Sequence, residues 1–165
     1  MSITSSTDVF FDQLKDLKSA TELTVQTLPE LIGWASEPKL LEALRAHLDA
    51  TTRHLREITA IFEAHSHDAG SDICKAMAGL IEGGNAHIKM AADAIVRDHL
   101  LIAHCNRIGH YLRAASEFTL GMARSCALGP EMDVIAEMLA RHQDFTAWMA
   151  EVAADVFNIQ MGSVR

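Results

Sequence analysis

Four histidines and one aspartate are the residues of this chain best suited to chemistry. His47 and His54 stand seven positions apart, about two helical turns, so both fall on one face of a helix. Asp49 follows His47 by two positions, His110 precedes Leu112 by two, and His142 interrupts an apolar run. Imidazole nitrogens suit zinc, copper or nickel better than magnesium or calcium, and a carboxylate beside them extends the set to iron or manganese. The plainer reading makes each a core or boundary histidine, because a buried imidazole is satisfied by one hydrogen-bonding neighbour. His65 and His67 bracket a turn and read as solvated.

Other chemistries find little here. Thr21, Thr24 and Thr51 read most simply as helix residues whose hydroxyls bond back to a backbone carbonyl. Cys105 and Cys126 lie on an apolar seam and read as buried, inert thiols. The methionines read as core filling. Glu22, Glu117 and Glu137 read as solvated or boundary acids. No Ser-His-Asp set and no glycine-rich phosphate loop is recognisable, and Gly83-Gly84 is not a nucleotide motif.

The elements that must position these residues are helices. Apolar residues recur at alternating steps of three and four, the pattern of left-handed helical bundles. The first seam reads Phe10, Leu14, Leu17, Thr21, Thr24, Leu28, Leu31. It starts after the capping cluster Ser5 to Asp8, and Pro29 inside it predicts a kink or break. The second reads Leu40, Leu44, His47, Thr51, His54, Ile58, Ile61, with Ser36 as the expected cap. A weaker helix over about 72–94 is expected to bend, or to meet a neighbour closely, at Gly83-Gly84. A fourth seam reads Leu101, Cys105, Ile108, Leu112, Ala115, Thr119, Met122, Cys126, stopped by Gly129-Pro130. The last reads Ile135, Met138, His142, Phe145, Met149, Val152, Val156. The expected fold is therefore all-α: an up-down bundle of four long helices plus a short connecting helix. Residues 8–158 form its domain, with 1–7 a flexible N-terminus and 159–165 a C-terminal tail.

Composition narrows the class. The 165 residues suit one domain, and 49% hydrophobic with 5% aromatic content favours helices. A net charge of -8 repels phosphate backbones, so nucleic-acid binding is not expected. Three cysteines without a CxxC pattern point to a reducing compartment. The N-terminus lacks a signal-peptide pattern, and no stretch approaches the roughly 20 apolar residues that span a bilayer. A cytoplasmic protein without membrane association is expected.

An ordered set of short stretches is similar to the YciE/YciF family of ferritin-like, stress-associated bacterial proteins. It comprises Asp8-Val9-Phe10, His47-Leu48-Asp49, Gly79-Leu80-Ile81-Glu82, Arg97-Asp98 with Leu101-Ile102-Ala103, and His110-Tyr111, and spans about residues 7–158. The resemblance implies a ferritin-like bundle, a homodimer, and a carboxylate-rich two-metal site at the bundle centre. This chain departs from the family at the ligand slots. Thr21, Ala50 and Leu112 stand where the resemblance implies glutamates, and His142 lies where the family has a Glu-rich run. Family-like packing would bring His47, His54 and His142 together, with Asp49, Glu22 or Glu117 nearby. The leading expectation is a non-enzymatic bundle protein with a degenerate di-iron site, no cofactor and a homodimeric partner. The alternative is a metal-binding protein or oxidoreductase with a histidine-rich replacement site.

Overall fold

The structure is a computed structural model and describes residues 3–161. Helix α1 (Ser6–Trp34) starts at a reciprocal cap. The Asp8 amide donates to Ser5 Oγ at 3.1 Å, and the Ser5 amide donates to Asp8 Oδ2 at 2.9 Å. Residues 4–7, expected to be flexible, are thus tied into the helix start, while residues 1 and 2 lie outside the described residues. Of the kink or break expected at Pro29, the break does not occur: the helix is continuous through it. Pro29 is exposed, so water can serve the carbonyl that loses its donor.

Helix α2 (Pro38–Ala64) is capped by Glu37, which accepts from the Lys39 amide, and not by Ser36. Helix α3 (Lys75–Lys89) is shorter than expected and continuous through Gly83-Gly84, where it makes the expected close approach: Gly84 lies against the His104 ring. Helix α4 (Ala94–Ser125) is capped by Asp93, and α5 (Gly129–Phe157) opens with Pro130 in its first turn. The stop between them is not the expected glycine. Ala127 takes the left-handed conformation (φ 56°), and the Leu128 amide reaches back to the Ala123 carbonyl at 3.0 Å. Gly129 already belongs to α5.

The four long helices close a ring: α1 packs on α2 and α4, and α5 packs on α4 and α2. Helix α3 lies outside, against α4 and α1. This is the all-α bundle of four long helices and a short connecting one. Among the described residues no helix is long and apolar enough to cross a membrane. The seams read from α1, α2 and α5 are buried almost residue for residue. On α4 the seam drifts: after Leu112 the buried positions become Ser116, Thr119, Leu120 and Ala123. A straight helix turns by about 20° per heptad relative to a strict seven-residue repeat, which over two heptads carries Ala115 toward the edge of the seam and brings Ser116 toward it. Of the expected 159–165 tail, Met161 packs against the core, and residues 162–165 lie outside the described residues.

One buried acid ties the ring together. Asp98 in the second turn of α4 is 2% exposed and accepts from the Ser36 amide, the Ser36 hydroxyl and the Glu37 amide. Beside it Arg97 Nε donates to the Trp34 carbonyl at 3.0 Å, at the end of α1. The loop between α1 and α2 is therefore held by α4, which frees Ser36 from capping. Asp98→Asn retains the shape but removes the charge and one acceptor. It should lower unfolding free energy by about 2 kcal/mol, the scale of hydrogen bonds to a charged group. A urea melt unchanged within about 0.5 kcal/mol would contradict this account.

Candidate metal centre

Helices α2 and α5 turn three histidines into their shared seam. The His54 and His142 rings meet edge to face, centroids 5.3 Å apart, and His47 lies 6.0 Å from His142. The His47 ring also stacks on Phe145 at 3.6 Å. All three are at most 4% exposed. Neither nitrogen of His54 has a hydrogen-bond partner, and the same holds for His47 Nε2 and His142 Nδ1. Burial holds all three imidazoles below their ordinary pKa. It brings His142 down to about 3, with His54 adding repulsion. For His47 the repulsion comes from His142 and His54. At His54 burial again leads, opposed by the Glu137 carboxylate. All three are thus neutral at pH 7, the form that ligates metal.

Two carboxylates face this group from outside the seam. Glu57 lies three positions after His54, on the same face of α2. Glu137 reaches across from α5, placing Oε2 3.3 Å from His54 Nε2, out of line for a full hydrogen bond. Its other oxygen accepts from Arg141 Nε at 2.9 Å. One ligand atom from each of His54, Glu57 and Glu137 lies within 4.8 Å of the others. Burial, then repulsion by Glu137, pushes the Glu57 carboxyl up. Burial also pushes Glu137 up, but the Arg141 hydrogen bond and His54 outweigh it and hold it below the usual range.

The other sequence candidates lie elsewhere. Asp49 and His110 are exposed; each is two positions from an inward residue, about 200° around the helix. His110 lines a surface hollow with Arg113 and Glu117, which pair with each other. Glu22 pairs with Lys18. Glu57 and Glu137 were not singled out beside His54 because each flanks a seam as a surface acid does. The signal was the His54-x-x-Glu57 spacing, one helical face carrying imidazole and carboxylate together.

At the bundle midpoint the side chains offer little to a metal. Thr21 donates its hydroxyl to the Leu17 carbonyl at 2.6 Å, and Thr51 does the same to His47. Leu112 is fully buried among apolar residues. Ala50 lines an open groove of about 570 Å³ between α2 and α5, with Arg53, Phe145 and Trp148. His65 and His67 are not merely solvated. His65 Nε2 meets Glu131 Oε1 at 2.7 Å, and His67 stacks on Phe11 at 4.0 Å. Cys126, expected to be buried, is only half-buried, whereas burial pushes the Cys105 thiol up to about 12.

Four long helices in a ring, a short outer helix in the crossover and histidines turned inward define a ferritin-like bundle protein. Residues 5–161 match the family described as Domain of unknown function (DUF892). The chain belongs to this family, which is the YciE/YciF family. It is 34% identical over 112 residues to Protein YciF of Escherichia coli strain K12, covering 67% of this chain and 68% of that one. The crystal structure of the Escherichia coli stress protein YciF superposes with a TM-score of 0.88, at 26% identity over 96% of this chain and all of that chain. YcfI of Rhodopseudomonas palustris superposes with a TM-score of 0.85 at 20% identity, over 90% of this chain and 94% of that one. The last likeness bears on the fold alone.

Proposed function

We propose that this protein is a stress-associated bundle protein that has lost two-metal chemistry at its centre and works through association, as a homodimer, in the reducing cytoplasm. The observation that carries this reading is the state of the midpoint. A carboxylate-bridged pair of ions needs several inward acids, and the residues present do not fit it. Thr21 offers only a neutral hydroxyl that already donates to the Leu17 carbonyl, Ala50 and Leu112 carry no ligand atom, and none of these slots holds a carboxylate. A histidine-only replacement centre finds less support, because the His47 ring is stacked on Phe145 and the ligand atoms that fall within 4.8 Å of one another belong to His54, Glu57 and Glu137. The stress role is supported by similarity to the Escherichia coli stress protein. Free thiols at Cys74, Cys105 and Cys126 support the compartment. The exposed Met90, Ile95 and Val96 around the α3–α4 turn support self-association.

Ferrous iron titration, with metal analysis after gel filtration, tests the central claim. The expected outcome is no retained iron pair and no iron-dependent oxygen consumption. About two irons per chain, lost together in His142→Leu, would overturn it. Sedimentation velocity tests association, and a monomer at every concentration would count against the homodimer.

A further inference from the structure

We propose that the α2–α5 seam, to the side of the bundle midpoint, binds one divalent transition-metal ion of the zinc class between His54, Glu57 and Glu137. This goes beyond the loss of central chemistry and does not depend on it: none of the three stands at Thr21, Ala50, Leu112 or His142.

The first support is geometric. Ligand atoms of the three side chains fall within 4.8 Å of one another, close enough for one ion to touch all three after small side-chain rotations. The second is independent. His54 is 1% exposed, yet neither ring nitrogen has a hydrogen-bond partner, and Glu57 Oε2 is buried without one too. Buried polar atoms are nearly always satisfied. Here an unpartnered imidazole lies beside two carboxylates, and a cation between them satisfies one ring nitrogen and Glu57 Oε2 together.

Electrostatics runs the same way. Glu57 and Glu137 repel each other across the seam, and a divalent ion converts that repulsion into attraction. Arg141 holds the far oxygen of Glu137, so Oε2 is left facing His54. The His142 ring backs His54 edge-on and restricts its rotation. The Glu137 side chain is 41% exposed, which provides an entry path and leaves room for water as a further ligand. One imidazole with two carboxylates favours zinc and its neighbours over calcium or magnesium.

The test uses the full chain stripped with a chelator, then titrated with Zn²⁺ by calorimetry and with Co²⁺ as a visible-absorbing probe. Wild type should bind one Zn²⁺ per chain, raise its Tm with zinc, and give the intense visible bands of four-coordinate cobalt. Glu57→Gln and Glu137→Gln retain side-chain shape, and circular dichroism confirms their fold. Each should weaken zinc by more than the ~10–100-fold typical of losing an outer-shell partner. Asp49→Asn, an exposed carboxylate off the seam, should leave affinity unchanged. Absence of zinc binding and of any Tm shift would overturn the proposal. So would zinc affinity that survives both glutamine variants, since the ion would then sit elsewhere. Neither result bears on the iron test, which reads the midpoint through His142.

Discussion

Gly84→Ala should destabilise the protein by about 3 kcal/mol, the upper end of ordinary overpacking. A methyl group built on Gly84 would stand 1.9 Å from Nδ1 and 2.5 Å from Cγ of His104. That ring is 1% exposed and cannot swing aside as a long flexible side chain does. The sign is informative, because alanine is the better helix former by about 1 kcal/mol and would stabilise α3 if the space were open. His104→Ala alone leaves a cavity and should also cost stability. The two substitutions touch the same atoms, so the double variant should be more stable than the sum of single losses predicts, by about 1 kcal/mol or more. Urea unfolding of the four proteins reads this coupling. Gly84→Ala within about 0.5 kcal/mol of wild type would mean that α3 does not seat on α4 through this ring.

Acid should unfold the metal-free protein well above the pKa range of ordinary carboxylates. Burial holds His142 neutral down to about 3 and, with Arg107 adding repulsion, His104 down to about 4; His47 is lowered as well. In the unfolded chain each titrates near 6.5. Between these limits the unfolded chain carries protons that the native chain lacks, so stability is complete above about pH 6.5 and falls as pH drops. Each such histidine contributes a slope of about 1.4 kcal/mol per pH unit. Glu57, with its raised pKa, contributes in the opposite direction. Two or three histidines in force remove about 4–6 kcal/mol by pH 5, comparable to the whole stability of many domains. Urea midpoints from pH 8 to pH 5, taken with chelator present, should fall steeply below 6.5. His104→Leu should flatten that slope by one histidine's share. A midpoint constant from pH 7 to pH 5 would refute the assignment of neutral buried imidazoles.

The bundle was legible in the chain because burial of a long helix is periodic. Phe10, Leu14 and Leu17 on α1, like Ile135, Met138 and His142 on α5, are buried where three-four spacing puts them. What misled was local and steric. Ala127 occupies a conformation usually left to glycine, so the neighbouring Gly129 drew the turn two residues too far. The convergence of His47, His54 and His142 was legible from seam position plus family-like packing. Glu57 and Glu137 were not, because a half-exposed acid beside a seam looks the same whether water or an imidazole faces it. Only the crossing of α2 and α5 distinguishes the two, and that is a property of tertiary packing. Asp98 illustrates the same limit: its partners Ser36 and Glu37 lie 62 and 61 positions away.

That last separation has a consequence for how the molecule assembles. The link between α1 and α2 is three residues long, and two of its amides are satisfied only from α4. A nascent α1–α2 pair therefore emerges with its corner unfinished, and α4 completes it only after the crossover has been made. The first half of the chain should therefore not fold on its own. Severed between α2 and α3, the two pieces should be less ordered apart than together, and should regain helicity on mixing as complementing fragments.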